Sequence, residues 1–550
     1  MEKIWLQSYP AHIQSSIEEL SNNSILDLIQ KASDKYSSNT AFTSLNSKLS
    51  FKDIEFYSEN FGAYLQHELS IRKGSRVAIM LPNLFTYPVT LLGCYKAGAT
   101  VININPLYKG REIENALNDS GAETIIVLDK FIDELNLIIK NTKIKNIIVC
   151  RISDLLSLPM SLLIKTISFF KRSKTISNDN YIPFFRVILK KHILKKVNLY
   201  HDDIALLQYT GGTTGKSKAA VLTHKNILSN IQQLDIWVKP HISKGKEIII
   251  TALPLYHIFS FTVNFLYFYS IGSNNVLIAN PRDLKSFVKE LTKHRFTVIT
   301  AVNTLFNLLL TSSKFRKINF SSLKFSVGGG MSVLSSTAKK WKKITGTEIT
   351  QGYGLTETSP IVSINPINTK FNGSIGLPMP STDISIRDDT GNQLGYEEPG
   401  ELCVKGPQVM SEYWNKKHDS LSSFTKDGFF KTGDIASIDK NGFLTIVDRK
   451  KDMIISSGFN VYPNEIEEYV SQHPYVTECG VIGIDDSNRG ESIHLFIVRS
   501  SDTLREIDII EFCKDGLTIY KVPKRVHFIN EIPKNNVGKI LRRKLRELKY

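Results

Sequence analysis

The residues best suited to chemistry begin at Gln208, in the string QYTGGTTGKSKAAVLTH. Glycines and hydroxyl side chains lie there between an apolar strand-like run, IALLQY, and a helix-like stretch. Backbone N–H groups and threonine hydroxyls in such a loop can surround a phosphate, so the pattern predicts a nucleotide loop. A Walker A loop needs four residues between its first glycine and the Gly-Lys-Ser/Thr. Gly211 to Gly215 leaves three, which argues against a P-loop ATPase.

Further strings follow in order: QGYGLTET (351–358), GELCVKGPQVMSEYW (400–414), KTGD (431–434), DRKKDMIISSGFNVYPNEIE (448–467) and PKNNVGKILRR (533–543). Together with the loop they resemble the motifs of the adenylate-forming superfamily, which includes acyl-CoA synthetases, luciferases and peptide-synthetase adenylation domains. VNTLFN (302–307), FSVGGGM (325–331), GSIGLPMPST (373–382) and KIWLQSYP (3–10) resemble in particular its bacterial long-chain-fatty-acid–CoA ligases. The likeness covers nearly the whole chain and is weakest over 150–200.

The resemblance implies a two-step reaction. A carboxylate attacks the α-phosphate of ATP, giving acyl-AMP and pyrophosphate, and coenzyme A then displaces AMP. Two anions must be brought together, so cations and hydrogen-bond donors are required. In the family pattern Thr210, Gly211, Gly212, Thr213, Thr214, Gly215 and Lys218 would hold the phosphates. Glu357 with Thr210 would hold Mg²⁺, a hard cation suited to oxygen ligands. Gly328, Gly329 and Gly330, with Gln351, Gly352, Tyr353 and Gly354, would line the nucleotide base, and Thr356 would contact the α-phosphate. Asp434 would accept from the ribose hydroxyls. Lys539 resembles the mobile catalytic lysine, a point charge on a flexible stem. Arg449 and Lys451 fall at the nucleotide and at the hinge about which a C-terminal domain would turn. Ser456, Gly458 and Arg525 are the coenzyme A candidates.

LPLYHIFSF (253–261) resembles the stretch where related fatty-acyl enzymes place a catalytic-site histidine and an aromatic gate over the acyl tunnel, which implies His257 as a positioning candidate and Phe261 as the gate candidate. Phe261 departs from relatives that carry Trp, and Ala219 departs from the usual Gly after the loop lysine. The implied substrate is a long-chain fatty acid; a medium-chain or aryl acid, or acyl loading of a carrier protein, are the alternatives.

Around these residues, the first 440 or so alternate short apolar runs with amphipathic stretches: RVAIML (76–81), ETIIVL (123–128), KEIIITALP (246–254), TVIT (297–300) and LKFSVGG (323–329). That alternation predicts an α/β fold with mostly parallel sheets. From about 380 the strands shorten and Gly, Asn and Asp turns separate them, as in a β-rich subdomain (about 380–448). The expected domains are 1–448 and a mobile α+β domain, 449–550.

The chain has 550 residues and a net charge of +16, which suggests anionic partners. Residues 151–200 hold ten cations against Asp154 and Asp179, interleaved with apolar clusters. A membrane-surface segment and a solvated basic insertion both fit that pattern. Residues 534–550 add seven cations against Glu547. Five scattered cysteines without a C-x-x-C pair suggest a reducing compartment. The expected location is cytoplasmic, peripherally on the inner face of the membrane, with no nucleic-acid partner. Residues 248–281 lack Asp, Glu, Lys and Arg. Pro254, His257 and the Gly272 turn nonetheless predict a buried strand–helix–strand rather than a membrane span.

Overall fold

The computed structural model describes residues 3–170, 181–210, 217–456, 459–486, 490–535 and 538–548. Among them, two large sheets face each other. One has seven strands, in the order 181–183, 146–150, 124–128, 76–80, 100–103, 204–210 and 218–223, and only the last is antiparallel to its neighbour. The other has nine, with a parallel centre running from Ile349–Gly354 through Phe325–Gly328, Val298–Ala301, Ile248–Thr251 and Asn274–Leu277 to Thr40–Ser44. All five apolar runs named above form strands at these places.

The largest core cluster fills the space between the sheets. The Thr86–Lys96 helix lies there and is buried on every side, which explains why its sequence shows no polar face. A second cluster packs helices Leu284–Leu291, Asn303–Thr311 and Ser335–Thr345 on the outer face of the nine-stranded sheet, around Trp341 and Phe306. A third covers the outer face of the other sheet.

Residues 248–281 form the strand Ile248–Thr251, a π-helix at Ser260–Tyr267 and the strand Asn274–Leu277, all in the interior. Among the described residues, no helix is long and apolar enough to cross a membrane. The reading of 151–200 as an insertion fits only its first part. Tyr181–Pro183 extends the seven-stranded sheet, and Phe184, Val187 and Ile188 are buried. The chain beyond them is tied to the Phe51–Glu68 helix, where Gln66 both donates to Lys195 O and accepts from Lys195 N, at 2.9 Å each.

A four-stranded antiparallel sheet, Asp383–Arg387, Gly400–Lys405, Phe430–Ile438 and Leu444–Arg449, forms the β-rich part. After Arg449 comes a smaller sheet in the order 459–461, 454–456, 490–499 and 476–486, with Arg525–Phe528 parallel to 490–499. It has separate apolar clusters of its own.

Candidate active site

Several segments, distant in sequence, carry the candidate residues. The strand Ile349–Gly354 presents Tyr353, whose hydroxyl donates to Asp434 Oδ2 at 2.6 Å. Arg449 Nε lies 2.9 Å from Asp434 Oδ1, and the Asp434 side chain is 4% exposed. Burial, reinforced by the Asp434 charge, pushes the Tyr353 phenol well above its ordinary range, so it remains a donor. Gln351 is committed to the scaffold: it accepts from Val333 N at 2.6 Å and donates to Gly373 O and Ser374 O at 3.1 and 2.8 Å. Gly329 lies close beside Gly352, since a Cβ on it would sit 3.4 Å from the Gly352 carbonyl. At Gly354 any side chain would overlap the Pro360 carbonyl, so the chain can turn into the Thr356–Thr358 segment only with glycine there.

Thr356 opens that turn, half-buried, and Glu357 is buried beside it. Glu357 Oε1 accepts from Tyr413 Oη at 2.7 Å, and burial raises the carboxyl above the usual carboxylate range. Tyr413 is also the neighbour of the phosphate-loop lysine: Lys218 Nζ stands 5.3 Å from its ring centroid and 3.2 Å from Asp419 Oδ2. Thr210 and Lys218 face each other across an antiparallel pair, with Thr210 Oγ1 donating to Lys218 O at 3.3 Å, so they form the closed base of the loop. Gly211, Gly212, Thr213, Thr214 and Gly215 lie outside the described residues.

His257, half-buried, precedes the buried π-helix Ser260–Tyr267, and Phe261 lies within it. His257 Nδ1 accepts from Phe259 N at 3.4 Å, and burial pushes the imidazole down to about 4. It is therefore neutral near pH 7, with its proton on Nε2. Phe261 is fully buried in the core between the sheets.

A further segment comes from the C-terminal domain. Asn535 holds both ends of a tight turn: its N–H donates to Lys539 O and its Oδ1 accepts from Lys539 N, each at 2.8 Å. The turn delivers the Lys539 ammonium into the surroundings of Arg449, Lys451, Asp434 and Asp452. Burial, then repulsion from Arg449, lowers it to about 7. Ser456 and Arg525 pair with the same strand at Gly490 and His494, four residues apart or roughly 13 Å. Gly458 is outside the described residues.

Tyr413 lies in the GELCVKGPQVMSEYW string, where its type and spacing alone give it no role. Its only signal was an aromatic hydroxyl within a motif, and its partner Glu357 lies 56 positions away.

Residues 29–414 match the AMP-binding enzyme family and 465–539 the AMP-binding enzyme C-terminal domain. The chain is 46% identical over 554 residues to a long-chain-fatty-acid–CoA ligase of Escherichia coli O157:H7, covering all of this chain and 98% of that one. A Yersinia pestis protein of the same description matches with the same identity and coverage. Among solved structures, the anthranilate CoA ligase AuaEII in complex with anthranoyl-AMP superposes with a TM-score of 0.85 at 24% identity, covering 96% of this chain and 98% of that one.

Proposed function

The chain belongs to the AMP-binding enzyme family, and we propose that the convergence of Lys539 on Asp434 and Arg449 is its adenylation arrangement. The protein converts a long-chain fatty acid to acyl-CoA with ATP, through acyl-AMP. Lys539 carries the reading of the site, because a lysine from a separate domain stands half-buried within the electrostatic reach of the carboxylate proposed for the ribose.

In the first step a carboxylate oxygen attacks the α-phosphorus and the bond to the pyrophosphate oxygen breaks. Lys539 bridges the two anions, and Lys218 with the phosphate loop holds the departing pyrophosphate. Asp434 takes the ribose hydroxyls, with Arg449 Nε holding its Oδ1 in place. His257, neutral, donates from Nε2 to the acyl carboxylate. In the second step the sulfur of coenzyme A attacks the acyl carbonyl, the C–O bond to AMP breaks, and the thiol proton passes to solvent. Rotation at Arg449–Lys451 withdraws Lys539 and brings the edge bearing Ser456, Gly458 and Arg525 to coenzyme A.

The residues suit Mg²⁺. Glu357 is a buried carboxylate with Oε1 oriented by Tyr413, and this cation commonly takes one protein carboxylate together with substrate phosphates. Bound there with Thr210, it would neutralise phosphate charge as the α-phosphorus is attacked.

Residues 151–200 supply the membrane contact in this reading. Leu158, Leu162, Leu163, Phe185, Leu189 and Ile193 are exposed, up to 87% at Ile193, among Arg186, Lys191, Lys195 and Lys196. Cations around exposed apolar side chains fit an anionic lipid surface, where long-chain acids partition.

ATP–pyrophosphate exchange with fatty acids of increasing length tests the assignment. Loss of exchange in Lys539→Ala and in Glu357→Ala is expected, and unchanged exchange in both would refute the roles. Sedimentation with phosphatidylglycerol vesicles tests the lipid surface; undiminished binding after neutralising Lys190, Lys191, Lys195 and Lys196 would remove it.

A further inference from the structure

The Ser335–Thr345 helix has no N-terminal cap of its own. Leu334 occupies the cap position, where it has no side-chain acceptor, and the first turn has no acid. The helix lies within residues 291–347, which contain ten Lys and Arg and no Asp or Glu. The first N–H groups of a helix have no intrahelical partner and carry a partial positive charge.

The C-terminal domain supplies what is missing. Ser335 N, the first of the helix, donates to Glu468 Oε1 at 3.2 Å. Glu468 lies on the Pro463–Val470 helix, whose own N-terminus is held by Asp448, with Asn464 N donating to Asp448 Oδ2 at 2.9 Å. Asp448 is next to the hinge candidate Arg449. Two helix caps in series thus run from the hinge, through the small domain, to the large one. A further close approach between the domains is at Gly538, packed against Thr304 and Val302 beside Lys539.

We propose that Glu468 is a positioning residue, an interdomain helix cap that holds the C-terminal domain where Lys539 meets Asp434 and Arg449. The inference rests on the reading that this domain rotates between the half-reactions, because the motion that withdraws Lys539 also takes Glu468 from Ser335. The cap therefore weights the adenylation arrangement and has no part in thioester formation.

Two variants of the full-length enzyme break the contact from opposite sides. Glu468→Ala removes the acceptor. Ser335→Pro removes the donor and leaves the helix intact, since proline suits the first helical position and Leu334 already has the extended backbone, φ −74° and ψ 140°, that a following proline requires. Each should slow ATP–pyrophosphate exchange by about threefold to thirtyfold, the range of a lost cap, with KM for ATP unchanged. The double variant should fall no further than the worse single one. Acyl-CoA formation from supplied acyl-AMP should be as fast as in the parent, which general misfolding would not allow. Exchange within about twofold of the parent, both half-reactions falling together, or effects that multiply in the double variant would each overturn the proposal. Lys539→Ala separates the two readings. Intact exchange in that variant refutes the mobile lysine, whereas lost exchange there with normal exchange in Glu468→Ala refutes the cap alone.

Discussion

Replacing Gly538 with alanine should divide the two half-reactions. Gly538 has φ +82°, and a Cβ on it would overlap Thr304 Oγ1 and lie 3.2 Å from Val302 Cγ2. The left-handed backbone costs an L-residue about 1–2 kcal/mol wherever the C-terminal domain sits. The overlap exists only when that domain is docked with Lys539 in the site, and forcing a side chain into a packed contact costs about 1–3 kcal/mol. The docked arrangement should therefore lose roughly fivefold to 150-fold in population relative to the undocked one. ATP–pyrophosphate exchange reads the docked state, and acyl-CoA formation from supplied acyl-AMP reads the other. Exchange should fall by that factor while the thioester step stays near the parent rate. Thr304→Ala in the same chain removes the overlapping oxygen, leaves the Val302 contact, and should recover most of the exchange. The reasoning fails if Gly538→Ala leaves exchange within about twofold, if both steps fall alike, or if Thr304→Ala restores nothing.

Lys539 should set the alkaline limb of adenylation. Its ammonium is lowered to about 7 by burial and by Arg449, so it is charged below that pH and neutral above it. In exchange assays kcat/KM for ATP should fall about tenfold per unit above pH 7, and Lys539→Arg, which stays charged, should lose that break even if slower; a parent profile flat through this range contradicts the assignment. Glu357→Gln keeps an acceptor for Tyr413 and removes the charge, so exchange should drop more than about a hundredfold without rescue by added Mg²⁺; exchange near the parent rate would place the cation elsewhere. Asp434→Asn weakens charge-assisted bonds worth about 1.5–3 kcal/mol, so KM for ATP should rise roughly tenfold to 150-fold, and an unchanged KM would place the ribose elsewhere.

Much of this was legible in the chain. The five apolar runs formed strands because β-rich stretches buried on both faces have a local signature. The Gly/Thr string and KTGD were legible through their resemblance to the family's motifs, a likeness carried by residue type and order along the chain. The charge was read incompletely. Counting toward 151–200 and the last residues passed over 291–347, whose lack of acids acquires meaning only beside Glu468, an acid on another domain. Gln351 was expected at the nucleotide, but its side-chain amide holds Val333, Gly373 and Ser374. A motif shows that an amide is needed, not which atoms it meets.

The sequence by itself determined the alternation of strands and helices, the kinds of groups available to a carboxylate and a nucleotide, and their order along the chain. These are local properties, carried by residue type and spacing. Only the tertiary structure decided that Tyr353 meets Asp434 81 positions away and that Tyr413 orients Glu357. It also set the Lys539 ammonium near neutrality. The physical reason is that contacts at such separations follow from how sheets and domains pack, and that a pKa displaced by desolvation belongs to the surroundings rather than to the residue.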